Sequence, residues 1–388
     1  MPLALLALTI SAYAIGTTEF VIVGLIPTIA EQLNVTVPSA GLLVTLYAIG
    51  VAIGAPVLTA LTGRVPRKML LVGLMVLFTL GNLLAWQSPS YESLVVARLL
   101  TGLAHGVFFS VGSTIASSLV AKEKAATAIA IMFGGLTVAL VTGVPLGTFI
   151  GQHFGWRETF LAVSLIGMVA IIASLILIPN NIKSQASASI REQLQVLTHP
   201  RLLLIYAVTA LGYGGVFTTF TFLAPMMQEL AGFSAPAVSW ILLAYGIAVA
   251  IGNIWGGKLA DRHGAVRALS FIFAVLAALL LVFQFTASHS AAALLTVVVM
   301  GFGNVPGLQV YVVQKAEQYT PNAVDVASGL NIAAFNVGIA LGSVIGGQTV
   351  ASLGLAQTPW IGALIVVGAF LLIGLSGRLD KQHPRQFA

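Results

Sequence analysis

Three ionisable side chains stand in stretches of this chain that are otherwise apolar: Glu19, Arg98 and His105. Glu19 lies within SAYAIGTTEFVIVGLIPTIA, Ser11–Ala30, a run apolar enough to cross a bilayer. A charge at such depth costs roughly 3 kcal/mol on insertion scales, so it marks a site with a task. A carboxyl there has two kinds of chemistry open to it. It can bind and release a proton, or it can stay protonated as a fixed hydrogen-bond donor between helices. The other carboxylates, Glu31, Glu92, Glu123, Glu158, Glu192, Glu229, Asp261, Glu317, Asp325 and Asp380, map to loops or span ends. By elimination Glu19 leads as the titratable group.

Arg98 precedes His105 by seven residues, two helical turns, so both share a helix face. Gly102 and Gly106 fall on the same face and are expected to leave room above it. Arg98 either snorkels to the surface from the first turns of its span or answers the protonation of Glu19. His105 is either a hydrogen-bonding residue or a contact for proton or substrate. Glu19, Arg98 and His105 form the candidate proton-coupling set.

The elements that carry these residues follow from composition. Of 388 residues, 58% are hydrophobic and 7% charged. Soluble domains average about 25% charged. Mean hydropathy is +1.02. Continuous apolar runs of about 20 residues are long enough to cross roughly 30 Å of hydrocarbon as helices, and they exclude a β-barrel of short alternating strands. The expected class is an all-α polytopic membrane protein. Twelve spans are read, at 3–29, 40–62, 68–88, 93–120, 124–150, 157–179, 201–229, 237–259, 267–286, 290–315, 323–350 and 357–377. The first run is too long, and its start too poor in basic residues, for a signal peptide. The polar interval Asn180–Pro200 separates six spans from six, with a short surface helix expected near Ile190–Leu197.

Basic residues set the orientation. Of seventeen Lys and Arg, only Arg98 and Arg157 fall off one side. That side receives Arg64, Arg67 and Lys68, the central linker, Lys258, Arg262 and Arg267, Lys315, and the tail from Arg378. Both termini and the linker are expected in the cytoplasm. The net charge of +6 is then a topology signal, not a nucleic-acid footprint. Trp86, Trp156, Trp240 and Trp360 fall near the opposite face, as an interfacial belt would.

Catalysis is not expected. There is no cysteine, no phosphate-binding glycine loop, and no pair of histidines at metal-ligand spacing. No second catalytic group accompanies Glu19 in the membrane, so neither enzyme nor cofactor is anticipated. A sensor would need a sizeable output domain, and the longest loop is the central linker.

The halves repeat. Tyr47–Arg64, YAIGVAIGAPVLTALTGR, aligns with Tyr245–Arg262, YGIAVAIGNIWGGKLADR, at a constant offset of 198 residues. Gly257–Arg267, GKLADRHGAVR, matches the loop motif G-x-L-x-D-R-x-G-x-x-R of major facilitator superfamily transporters. The first-half copy departs, with Gly63 at the Asp position and Pro66 at a Gly position. RLLTGLAHG at Arg98–Gly106 resembles the R-x-x-x-G motif of proton-coupled members. GVPLG at Gly143–Gly147 resembles the antiporter motif, with Val144 inserted between Gly and Pro. Together with GTTEF and FGWRETF, the chain resembles the twelve-span drug:proton antiporter branch, and within it bacterial sugar-efflux permeases of the arabinose-efflux type.

The resemblance implies twelve helices in two pseudo-symmetric six-helix lobes, 1–180 and 201–388, joined by a cytoplasmic linker at 181–200. It implies a monomer in the bacterial inner membrane that exports a sugar, drug-like compound, nucleoside or other metabolite in exchange for protons. Proton symport or uniport is the alternative within transporters, and a ligand sensor the alternative outside them. Candidate cavity residues are Tyr47, Phe109, Phe217, Tyr245, Asn253, Asn304, Asn331 and Asn336, since polar groups facing lipid would go unsatisfied. Gln309 joins the in-span asparagines as a polar group of this kind, and Phe108, Phe220 and Phe222, like Phe109 and Phe217, either line the cavity or pack in the core or against lipid. Arg64, Arg67, Gly257, Asp261, Arg262 and Gly264 are candidates for a conformational gate. Gly143, Pro145 and Gly147 mark the antiporter-motif helix.

Overall fold

A computed structural model describes residues 2–58, 61–62, 65–121, 124–180, 182, 195–303 and 307–382. Arg64, Asn304 and most of the central linker lie outside the described residues, and of the expected linker helix only 195–198 is described, as helical.

The helices are α1 (Ala4–Gln32), α2 (Val37–Ile53), α3 (Arg67–Trp86), α4 (Tyr91–Ser118), α5 (Ala125–Val138), α6 (Val144–Phe154) and α7 (Trp156–Leu177) in the first half. The second half holds α8 (Pro200–Phe220), α9 (Ala235–His263), α10 (Ala265–Thr286), α11 (Ser290–Gly301), α12 (Gly307–Tyr319), α13 (Val324–Leu353) and α14 (Thr358–Gln382). A π-helical turn at Ala139–Gly143 joins α5 to α6 into one span. Another, Gly54–Leu58, prolongs α2. Among the described residues, eleven helices are long and apolar enough to cross a membrane.

The expected span 290–315 is not one uniform helix. It is described as α11 and α12, with a turn at Phe302–Gly303. Its sequence GFGNVPG concentrates glycine and proline, the two poorest helix formers, at that point.

Helix starts follow local chemistry. Thr36 caps α2 by accepting a hydrogen bond from the Ser39 backbone amide at 3.2 Å, with Pro38 in the first turn. Ser90 and Ser93 form a reciprocal box at the start of α4. Between α9 and α10 the chain reverses at Gly264, whose φ of +82° favours glycine.

Packing repeats between the halves. In the first, α1 packs on α5, α6 and α7, α2 on α4, and α3 on α7. In the second, α8 packs on α13 and α14, α9 on α11, and α10 on α14. Among the described residues the halves meet mainly along α2 against α13 and α9 against α6 with its preceding π turn, and α1 also touches the segment Leu223–Pro225. Lipid is as apolar as leucine, so hydrophobicity does not drive these helices together. Small residues that let backbones approach do.

That principle corrects the expectation that Gly102 and Gly106 leave room. A Cβ on Gly106 would lie 2.7 Å from the Ala55 amide nitrogen, and one on Gly50 would lie 2.7 Å from the Leu99 carbonyl oxygen. The glycine face of α4 is filled by the backbone of α2. Gly143, Gly147 and Gly151 act likewise toward α1. Cβ atoms there would run into Thr17, Val21 and Leu25, which are themselves four residues apart. The antiporter-motif helix therefore presses on the turns of α1 that flank Glu19, with Pro145 in its first turn.

The aromatic belt needs one correction. Trp156 is fully buried, packed against Phe160 and beneath the Arg157 guanidinium at 4.3 Å, so it serves the core. Trp240 is exposed as expected.

Candidate functional site

Arg98 does not snorkel. It is 1% exposed, and its planar fork ties three helices together. Nη1 donates to the Thr18 carbonyl of α1 at 2.7 Å, and Nε donates to the Leu43 carbonyl of α2 at 3.3 Å. The guanidinium also lies over the Tyr47 ring at 4.2 Å. Its remaining nitrogen, Nη2, is buried without a partner.

Glu19 follows Thr18 directly and is 7% exposed. No Arg98 nitrogen lies within ion-pair distance of it among the described residues. Oε2 is 3.9 Å from His105 Nδ1, and Oε1 is buried with no partner. The same His105 nitrogen shares a 3.0 Å hydrogen bond with the Tyr47 hydroxyl. Tyr47 thus bridges the cation and the imidazole beside the carboxyl. Beneath this group, Thr18 Oγ1 donates to Asn82 Oδ1 at 2.6 Å, and Asn82 Nδ2 donates to the Phe78 carbonyl at 2.9 Å. Those bonds fix the α1 turn on which Glu19 sits.

A cavity of about 170 Å³ opens in front of Glu19. Glu19, Phe20, His105, Phe109 and Phe133 line it from the first half. Thr209, Tyr213, Gln309, Asn331, Phe335 and Asn336 line it from the second. The site therefore lies between the halves. Its far wall is an amide chain: Thr209 Oγ1 donates to Asn331 Oδ1, and Asn331 Nδ2 donates to Gln309 Oε1, each at 2.7 Å. Asn336 Oδ1 is buried without a partner. Free acceptors on both walls leave capacity for a guest with hydrogen-bond donors, and the rings around them suit a flat or partly apolar body.

The structure gathers some of the expected residues here and leaves others elsewhere. Glu19, His105, Phe109, Asn331 and Asn336 line the cavity. Tyr47 does not line it and instead supports His105. Phe217 joins a ring series from Phe20 through Phe220 to Tyr245, behind the cavity wall. Asn253 lies outside the lining, with its Oδ1 buried and unpartnered. Phe108 and Phe222 are core residues. Asn304 lies outside the described residues.

Among the gate candidates, Asp261 is exposed and forms no ion pair or hydrogen bond among the described residues. Arg262 likewise forms no ion pair among the described residues. Among the described residues no atom lies within 4 Å of a would-be Cβ on Gly257, so none of the described helices approaches closely at that point. Arg67 is half-buried, with Nε unpartnered. Arg64 lies outside the described residues.

Sequence reasoning passed over Thr209, Tyr213 and Phe335. The one usable signal was spacing: 209 and 213, and 331 and 335, each lie one turn apart on a single face. Among the described residues, no group of three His, Asp or Glu could hold a metal ion.

Comparison with known proteins agrees with this architecture. A family model described as Major Facilitator Superfamily matches residues 8–238 and 206–386. "Uncharacterized MFS-type transporter YtbD" of Bacillus subtilis is 53% identical over 99% of this chain and 97% of its own length. "Inner membrane transport protein YdhP" of Escherichia coli K12 is 39% identical, covering 97% of each chain. "Putative transporter AraJ" of the same organism is 33% identical over 99% of this chain and 97% of its own. Among solved structures, a point-mutant form of nucleoside transporter NupG superposes with a TM-score of 0.77, at 14% identity, over 97% of this chain and 99% of that one. A repeated bundle of apolar helices, a polar cavity between its halves and these relatives have one reading: the chain is a multi-pass secondary transporter of a small molecule and a member of the Major Facilitator Superfamily.

Proposed function

We infer that the protein exports a small polar molecule from the cytoplasm in exchange for protons, as in the drug:proton antiporter branch. The lobes 1–180 and 201–388, joined by 181–200, would rock about a central cavity in the bacterial inner membrane. The observation that carries this reading is the position of Glu19. It is the one carboxylate lining the cavity among the described residues, and it faces the amide wall of the other half. Proton and substrate then compete for one space. Substrate entering from the cytoplasm displaces the proton, and a proton entering from outside displaces the substrate. His105, Tyr47 and Arg98 set the charge around that exchange.

The rings and amides lining the cavity suit a sugar, a nucleoside or a drug-like ring compound. The test is uptake by everted vesicles across a panel of those classes, with interior acidity as the driving force. Accumulation that collapses with the proton gradient supports exchange. Accumulation of the same compound in right-side-out vesicles, together with protons, would make the protein a symporter instead.

Orientation has its own test. Fifteen of seventeen basic residues fall on one side, so both termini are expected in the cytoplasm. A reporter fused after Ala388 that is active only in the periplasm would refute this.

Asp261→Asn is expected to slow transport several-fold with little change in substrate affinity. The residue is not among the cavity-lining side chains and, without an ion pair among the described residues, would act when the bundle changes state. Affinity that falls in step with the transport rate would contradict a gating role.

A further inference from the structure

A second cavity, larger than the one beside Glu19, is present among the described residues. It measures about 490 Å³ and lies at the basic-loop end of the second half. His263, Arg267, Lys315, Arg378 and Asp380 contribute its charged and titratable lining. Asp380 is already fully engaged. Lys315 Nζ donates to Oδ1 at 2.8 Å, Arg201 donates to the same oxygen, and the Tyr311 hydroxyl donates to Oδ2 at 3.0 Å. Arg201 keeps a second buried nitrogen, Nη1, without a partner. Arg267 and Arg378 are exposed, and neither has a carboxylate within 4 Å among the described residues. The cavity therefore carries an uncompensated positive charge.

The shape also points outward. Gly374 lines the cavity, and among the described residues a Cβ there would meet nothing within 4 Å. Leu371, Leu375 and Arg378 follow one face of α14, with Leu371 63% and Leu375 44% exposed. On α10, Phe271 stands one turn beyond Arg267 and is 52% exposed. Two arginines at the membrane edge thus stand above apolar faces that run into the bilayer.

We propose that this cavity binds the phosphate headgroup of an anionic phospholipid, with Arg267 and Arg378 holding the phosphate and the acyl chains lying along Leu371, Leu375 and Phe271. Basic recesses between helices at the cytoplasmic end suit such headgroups. A free phosphate would use the same arginines, but it would have no need of the open apolar flank. The site is separate from the Glu19 cavity and does not depend on what that cavity transports.

The test uses the purified full chain in detergent, titrated with dioleoylphosphatidylglycerol, dioleoylphosphatidylcholine and inorganic phosphate, with binding read by native mass spectrometry. Phosphatidylglycerol is expected to bind the wild type most tightly. The double variant Arg267→Ala, Arg378→Ala should bind it about thirtyfold more weakly, at about 1 kcal/mol for each basic residue near the surface. Arg267→Lys, Arg378→Lys keeps the charge and should retain most of the binding. Equal binding of phosphatidylglycerol by wild type and the Ala variant would overturn the proposal, as would equal affinity for phosphatidylcholine. Inorganic phosphate binding as tightly as the lipid, with the same arginine dependence, would make this a free-anion site and overturn the lipid assignment.

Discussion

Glu19→Gln is expected to abolish proton-driven accumulation while the protein still folds and still binds substrate. Glutamine matches glutamate in size and resembles its protonated form, so the buried cavity wall keeps its shape. What is lost is the ability to alternate between charged and neutral states. Without that alternation, a proton gradient has no handle on the equilibrium between conformations. Downhill exchange of substrate for substrate is expected to survive, because it needs no change in protonation. The check is paired: gradient-driven uptake and counterflow in vesicles, each normalised to folded protein. Normal gradient-driven uptake by Glu19→Gln would remove the residue from the mechanism and move attention to His105, its neighbour at 3.9 Å.

Arg98→Lys is expected to destabilise the protein by about 2 kcal/mol even though the charge is kept. Charge-assisted hydrogen bonds contribute roughly 1.5–3 kcal/mol each. Arg98 directs two separate nitrogens, Nη1 and Nε, to carbonyls on two different helices, and its flat face rests on Tyr47. Lysine offers one nitrogen on a flexible stem and cannot serve both carbonyls in that geometry. The α1 turn bearing Glu19 would loosen, so transport should fall with stability. Thermal unfolding of the purified protein in detergent measures the loss. A wild-type unfolding midpoint would show that Arg98 is not the tie between α1, α2 and α4.

Much of this was readable in the chain because membranes make charge conspicuous. A single carboxylate in an apolar span draws notice whatever surrounds it, and so does a single arginine. The repeat at an offset of 198 residues was equally visible, since it needs only letters. Direction was harder to read. Gly102 and Gly106 were correctly placed on the Arg98 face, but glycine opens a surface equally to a cavity and to a backbone, and here the backbone of α2 takes it. Tyr47 belongs with Arg98 and His105, but a tyrosine in a span looks the same when it lines a path as when it braces a neighbour. Tyr213 and Phe335 are lining residues of apolar or mixed character, and nothing local separates them from core. The Arg201–Asp380 pair joins residues 179 apart, so no motif could have announced it.

The central claim is that Glu19 releases its proton when substrate enters the cavity. It is tested most directly by adding the substrate found in the vesicle panel to weakly buffered, purified protein and following the pH of the solution. The wild type should release protons in proportion to bound substrate, and Glu19→Gln should bind substrate and release none. Equal proton release from both proteins would contradict the account.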